Sequence, residues 1–177
     1  TDEARDYGFG TRIDKPTDAD VIVITGSRKN VSMWEDWMDE VAALIRDCKV
    51  PLYGICFGHQ IICKALGGHV IRANEGSTMM AEVTYSDGTS SIQLFTHQDH
   101  VVDAGEMKVV GSAEHCEIAA CSHPTRLIRT VQYHPEAVKT LLDYSLECCD
   151  LTNEERAAFG DGEQDLDVTD SLIHPKY

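Results

Sequence analysis

A cysteine with a glycine two positions away on each side is the first feature of the sequence that could do chemistry. Residues 54–58 read Gly-Ile-Cys-Phe-Gly, after a short apolar run and before a helical pattern. This is the strand–nucleophile–helix elbow, with Cys56 in the nucleophile position. A side chain at Gly54 or Gly58 would collide with the neighbouring strand or helix, and the helix dipole at Cys56 favours the thiolate. The alternative is a core cysteine that merely ends a strand.

A thiolate needs a proton shuttle, and His134 is the best-placed histidine. It directly follows the strand-like run 127–133, and Pro135 breaks that strand. The imidazole should therefore project from the same sheet edge as Cys56. Glu136 lies two residues further on and can hold the ring nitrogen that faces away from sulfur. Alone, this segment is an ordinary strand-to-helix turn; together with the elbow, Cys56, His134 and Glu136 form a coherent catalytic triad.

The elements that must position these residues alternate along the chain. Residues 21–24 form a β-branched run that ends in a turn at Thr25-Gly26-Ser27, and residues 51–55 form a second buried strand. Between them, apolar residues recur at three and four positions, which predicts a helix capped by Ser32. A second helix is predicted at 57–66.

After Gly68 the periodicity changes to short strand-like pieces. They lie at 69–72, 81–85, 91–96, 108–111, 117–121 and 127–133, and a helix is predicted at 137–149. Strand–helix–strand–helix followed by more strands predicts an α/β fold, a single three-layer domain with a mostly parallel central sheet. We expect that domain at 20–149, an N-terminal arm or a truncated start at 1–19, and an acidic C-terminal tail at 150–177.

Composition and charge exclude several classes of function. A chain of 177 residues corresponds to one domain, and its 42% apolar content is ordinary for a globular protein. Thirty acidic against fifteen basic side chains give a net charge of −15, which disfavours nucleic acid and anionic lipid as partners. No segment is long and apolar enough for a membrane span or a signal peptide, so we expect a cytoplasmic protein with no membrane partner.

The seven cysteines are an odd number without a C-x-x-C pair, and we interpret them as reduced thiols. Cys116, Cys121 and His123 could be imagined as a metal site, but they lack the paired spacing of structural zinc sites. The sequence therefore predicts no metal and no cofactor.

The two motifs together resemble the class I, triad-type glutamine amidotransferase family. The resemblance is carried by Gly-Ile-Cys-Phe-Gly-His-Gln at 54–60 and Val-Gln-Tyr-His-Pro-Glu at 131–136. Ile-Thr-Gly-Ser at 24–27 and Thr-His-Gln-Asp-His-Val at 96–101 are similar to the family's oxyanion-loop and middle motifs. Within the family, the chain looks most like the stand-alone branch, which resembles the amidotransferase domain of GMP synthetase and includes the γ-glutamyl peptidases of plants.

The resemblance implies a flavodoxin-like fold and hydrolysis of a γ-glutamyl amide through a thioester on Cys56. It implies that backbone N–H groups of Phe57 and of the Gly26-Ser27 turn receive the oxyanion. It also places Gln60 and the backbone of His97 and Gln98 where the family contacts the substrate. Gln60 has an alternative role, in which it satisfies backbone groups near the elbow.

Several alternatives stay open at this point. The chain either hydrolyses a small γ-glutamyl substrate alone or delivers ammonia to a separate synthetase partner, and a catalytically silent binding or regulatory member of the fold is a third possibility. An α/β-hydrolase with cysteine would share the elbow, but its acid normally precedes the histidine. A DJ-1-like protein has a related elbow without a reason for the His-Pro-Glu motif.

Overall fold

The computed structural model describes residues 19–137 of the chain. Along these residues the elements are β1 (Ile22–Ile24), α1 (Trp37–Asp47), β2 (Leu52–Ile55), α2 (Phe57–Ala65), β3 (His69–Tyr85), β4 (Ser90–Asp103), β5 (Lys108–Ala113), β6 (Cys116–Ser122) and β7 (Ile128–Val131). The predicted helix at 137–149, the tail at 150–177 and nearly all of the predicted arm at 1–19 lie outside the described residues.

The strands form one seven-stranded sheet in the order β1-β2-β7-β6-β5-β3-β4. β1 pairs with β2 and β2 with β7 in parallel, whereas the pairs from β7 to β4 are antiparallel. The predicted α/β fold is confirmed, but the described sheet is mixed where the sequence predicted a mostly parallel one. The parallel end matters most for the site, because β2 and β7 lead into the two motifs that the sequence predicts to be catalytic.

The antiparallel end is built around a long hairpin. The predicted pieces 69–72 and 81–85 belong to one strand, β3, whose ladder with β4 is interrupted between Arg72 and Ser77. The piece predicted at 91–96 continues to Asp103 as β4. The polar residues between the pieces concealed this continuity, because a strand exposed on one side needs few apolar residues.

Helix α1 begins at Trp37, five residues after the predicted cap. Ser32 does not cap it: its backbone N–H and its hydroxyl both donate to the carboxylate of Asp99 on β4, each at 2.7 Å. The turn before α1 is thereby fixed to the sheet. Met38, Ala42 and Ile45 recur on one face of α1 and are buried.

Helix α2 packs against α1 and against the parallel strands. Ile61 and Ile62 are fully buried, and each contributes roughly 1.5–3 kcal/mol by leaving water. The shared core also contains Met38, Ile45, Leu52, Leu66, Val70 and Ile128, and a second core between the antiparallel strands contains Val83, Tyr85, Phe95, Val110 and Tyr133. Within residues 19–137 no helix is both long and apolar enough to cross a membrane.

Candidate active site

Cys56 occupies the sharp turn between β2 and α2. Its backbone has φ 51° and ψ −101°, and within residues 19–137 it is the only non-glycine residue with positive φ. A Cβ on Gly54 would lie 2.6 Å from the backbone of Gly58, and one on Gly58 would lie 1.9 Å from the Ile24 carbonyl oxygen. The turn is therefore strained and requires both glycines.

His134 follows β7 and faces the same sheet edge as Cys56. The His134 amide donates to the Leu94 carbonyl at 2.8 Å, which ties this segment to β4. Its ring Nδ1 lies 2.7 Å from Oε1 of Glu136. Because a carboxylate can only accept, Nδ1 carries the hydrogen and Nε2 is left to exchange a proton. Nε2 is buried and has no hydrogen-bond partner among the described residues.

The cysteine and the histidine meet beside Gly26. A Cβ on Gly26 would lie 3.1 Å from Cε1 of His134 and 3.7 Å from Cβ of Cys56. The Cys56 thiol itself donates to the Thr96 carbonyl at 3.6 Å. Burial lowers the pKa of His134, but its interactions with Cys56 and with the Glu136 carboxylate outweigh burial and raise that pKa to about 10. The surroundings therefore favour an imidazolium beside the sulfur.

A cavity of about 500 Å³ opens onto these side chains. Its lining contains five residues that the sequence predicted for the site: Gly26, Ser27, Cys56, His97 and His134. It also contains five that the sequence analysis missed: Arg28, Gly76, Ser77, Thr78 and Thr96. Thr96 lies in a motif already noted, and an isolated glycine such as Gly76 inside a strand is a signal for a close backbone approach.

The predicted oxyanion donors flank the nucleophile. Phe57 opens helix α2, where the first backbone N–H groups have no partner within the helix. Its ring is buried and stacks on Trp37 with centroids 5.9 Å apart, so α1 supports the elbow from behind. On the other side, Ser27 lines the cavity while its Oγ accepts from the Lys29 amide at 3.1 Å.

Of the predicted substrate-binding residues, His97 lines the cavity, whereas Gln60 and Gln98 do not. His97 lines the cavity, and its Nδ1 donates to the Asp99 carbonyl at 2.9 Å. Gln60 is only 3% exposed and is not in the lining; its amide donates to the Asp99 carbonyl at 3.0 Å and to the Gln132 side chain at 3.1 Å. The structure thus favours the second role for Gln60, in which it satisfies groups around the elbow.

Gln98 also lies outside the cavity lining. Its side chain accepts from the Arg72 guanidinium at 2.6 Å and donates to the Ala73 carbonyl at 3.2 Å. These contacts bridge the interrupted part of the β3–β4 ladder, where backbone partners are missing. The side chain of Gln98 therefore supports the wall of the cavity from outside.

His59, which follows the elbow, is a packing residue. Its ring is fully buried between the Thr130 hydroxyl at 2.8 Å and the Ile118 carbonyl at 3.0 Å. Burial lowers its pKa to about 3, so the ring is neutral. Since Nε2 faces a carbonyl, it carries the hydrogen and Nδ1 accepts from Thr130.

The cysteine pair considered as a metal site is not brought together. Cys116 and Cys121 lie at opposite ends of β6 and belong to different cores. Cys121 lies near His59 and Cys63, whereas Cys116 lies near His97 and His100.

Comparison with known proteins identifies the family of the chain. Residues 7–147 match the family model of class-I glutamine amidotransferases. The chain therefore belongs to the class I glutamine amidotransferase family. The match begins inside the segment 1–19 that we assigned to an arm, and the domain bounds stay a prediction.

Two curated relatives show which members it is similar to. It is 33% identical over 136 residues to γ-glutamyl peptidase 2 of Arabidopsis thaliana, covering 68% of this chain and 54% of the relative. It is 35% identical over 121 residues to a glutamine-hydrolysing GMP synthase subunit of Methanosarcina mazei, covering 60% of this chain and 64% of the relative. The chain thus spans about half to two thirds of these relatives. The branch predicted from the motifs is confirmed.

Solved structures show the same fold. A glutamine amidotransferase from Thermotoga maritima superimposes with a TM-score of 0.71 at 19% identity, covering 97% of this chain and 86% of that one. A glutamine amidotransferase from Methylobacillus flagellatus gives a TM-score of 0.70 at 19% identity, covering 82% of this chain and 63% of that one.

Proposed function

We propose that the chain hydrolyses a γ-glutamyl amide through a covalent thioester on Cys56. The observation that carries this proposal is the joint geometry of the site: a strained cysteine elbow, and beside it a half-buried imidazole whose far nitrogen is held by Glu136 at 2.7 Å. A silent binding protein would have no need to keep either the strain or the orienting carboxylate.

The reaction starts with attack of the Cys56 sulfur on the side-chain carbonyl carbon of the γ-glutamyl group. His134 gives its Nε2 proton to the departing nitrogen, so that ammonia or an amine leaves and the thioester remains. The same nitrogen then takes a proton from water, whose oxygen attacks the thioester carbonyl. The carbon–sulfur bond breaks, glutamate departs and the thiolate is restored. Glu136 fixes the ring and stabilises its charged form.

Negative charge develops on the carbonyl oxygen in both steps. The backbone N–H of Phe57 and those of the Gly26-Ser27 turn are the donors we assign to it, since Phe57 directly follows Cys56 and the turn lines the same cavity as Cys56. Such donors need no reorganisation as the charge develops, because the folded backbone already holds them in place.

The substrate class is suggested by Arg28. Arg28 is a positively charged residue in the lining of the cavity, in a chain of net charge −15, and a guanidinium suits a substrate carboxylate. A γ-glutamyl peptide carries one more carboxylate than glutamine, and a cavity of about 500 Å³ accommodates more than a single amino acid. We therefore favour a γ-glutamyl peptide. Arg28→Gln should raise KM for that substrate more than for glutamine.

The second candidate is a glutaminase that supplies ammonia to a separate synthetase. It is supported by the similarity to a glutamine-hydrolysing GMP synthase subunit. In that case the purified chain alone would release little glutamate, and a synthetase partner would raise the rate.

The test is steady-state release of glutamate from glutamine and from a γ-glutamyl peptide, together with labelling by a diazo-ketone analogue of glutamine. We expect turnover of the peptide and one label on Cys56. Cys63→Ser is the matched control, since Cys63 lies in the adjoining helix and is fully buried. Label that persists in Cys56→Ala refutes the assignment. If Cys56 is labelled but the chain alone shows no turnover, and a partner protein restores it, the chain is an ammonia donor. If there is neither label nor turnover, the chain is a catalytically silent member of the fold.

A further inference from the structure

A second group of reactive side chains lies beside the catalytic cavity. His97 and His100 project from β4, and Cys116 begins β6. One nitrogen of each ring and the Cys116 sulfur all lie within 4.8 Å of one another. The proposed hydrolysis uses none of these three side chains.

His97 is already oriented as a ligand. Its Nδ1 donates to the Asp99 carbonyl at 2.9 Å, so the hydrogen of the neutral ring is on Nδ1 and the lone pair is on Nε2. His97 is 8% exposed, and its buried Nε2 has no partner among residues 19–137. Metal-bound histidines almost always donate their other ring N–H to a carbonyl or carboxylate, which fixes the ring in this way.

A similar-looking cluster on the other side of β6 lacks this feature. His59, Cys63 and Cys121 also lie within 4.8 Å of one another and are buried. Both nitrogens of His59, however, are engaged by protein groups, Thr130 at 2.8 Å and the Ile118 carbonyl at 3.0 Å. This cluster has no imidazole lone pair to offer, and it supplies a matched control.

We propose that His97, His100 and Cys116 bind one Zn²⁺ ion beside the catalytic cavity, with the fourth position open to water. Two imidazole nitrogens and one thiolate are ligands that Zn²⁺ accepts readily. Tetrahedral coordination at ordinary zinc distances requires about 3.3 Å between nitrogens and about 3.6 Å between nitrogen and sulfur. The atoms start within 4.8 Å, so closing the site needs movements of about 1 Å.

Binding replaces the thiol proton of Cys116, which leaves to solvent, and forms two Zn–N bonds and one Zn–S bond. No oxidant or reductant is involved. Because His97 lines the catalytic cavity, the ion adds positive charge to a wall of that cavity. It thereby opposes the imidazolium form of His134 and should slow turnover reversibly.

The test separates this site from the catalytic thiol. Zn²⁺ is titrated into the reduced full-length chain carrying Cys56→Ser, in competition with a chromophoric chelator, and Co²⁺ is used as a spectroscopic probe. We expect one equivalent to bind, with a thiolate-to-cobalt charge-transfer band. Cys116→Ser should remove the band and weaken Zn²⁺ binding by about 100-fold or more, and His97→Ala should weaken it similarly.

Cys121→Ser is the matched control, because Cys121 is as buried as Cys116, at 2% exposure, and lies on the same strand. It should bind zinc like the parent. Thermal unfolding in the presence of a chelator checks that each variant is folded. His100→Ala removes another proposed ligand at a half-buried position and should also weaken zinc binding. The proposal is overturned if zinc binding requires an intact Cys56, or if tight zinc binding persists in Cys116→Ser. These measurements do not depend on turnover.

Discussion

Replacing Gly26 by alanine should disturb the catalytic imidazole while leaving the fold intact. The added Cβ would lie 3.1 Å from Cε1 of His134. Carbon atoms prefer a separation of about 3.5–4.0 Å, so the ring must move by about half an ångström. The backbone at Gly26 does not have a positive φ, so alanine itself fits there without strain.

A misplacement of about 1 Å can cost about 100-fold in rate, so half of that corresponds to roughly 10-fold. We expect kcat to fall by about that factor with little change in KM. Stability should be unchanged or higher by up to about 1 kcal/mol, because alanine restricts the unfolded chain. Since Gly26→Ala keeps its backbone N–H, the loss would report the ring's position and not a missing oxyanion donor.

The assay is turnover of the γ-glutamyl substrate together with the rate of alkylation of Cys56. Gly76→Ala is the control in the same cavity, because its Cβ would meet its nearest neighbour, the His97 carbonyl oxygen, at an ordinary 3.7 Å. Unchanged kcat in Gly26→Ala, or an equal loss in Gly76→Ala, would refute this account of how His134 is held.

Four further substitutions have expected outcomes. Gly58→Ala places a Cβ 1.9 Å from the last carbonyl of β1 and should lower the unfolding free energy by about 3 kcal/mol or more, measured by urea unfolding. Glu136→Gln removes a charge that raises the pKa of His134, so that pKa should fall from about 10 in an NMR titration. The free energy of unfolding should therefore be higher in the parent than in Glu136→Gln. This difference should be largest below pH 6.5 and should shrink as the pH rises toward 10. Asp99→Ala removes two 2.7 Å hydrogen bonds from Ser32 and should lower the free energy of unfolding by about 3 kcal/mol. Ser32→Ala removes only one of them and should lower it by about half as much.

The sequence was most informative where the chemistry depends on neighbours along the chain. The elbow needs glycines at fixed offsets from Cys56, and Glu136 reaches His134 because it is two residues away. Both relations are local, so the spacing of residue types was enough to predict them. The α/β fold class followed from the change of periodicity after Gly68.

Contacts between distant segments could not be predicted in the same way. Ser32 is a good helix cap by type, but the carboxylate of Asp99, far along the chain, is a stronger acceptor for its two donors. Gln60 is likewise occupied by β4 and by Gln132. His97 and Cys116 meet only because β4 and β6 approach each other in the folded sheet.

The two walls of the cavity should exchange their amide hydrogens on different timescales. The Cys56 amide donates to the Val131 carbonyl at 2.8 Å, so the nucleophile is part of the parallel β2–β7 ladder. Such amides exchange only when the core sheet opens. The stretch between Arg72 and Ser77, by contrast, lies at a break in the β3–β4 ladder, so that its local opening costs less free energy. The reacting atoms can therefore keep their separation while the cavity wall at Gly76 adjusts to substrates of different size.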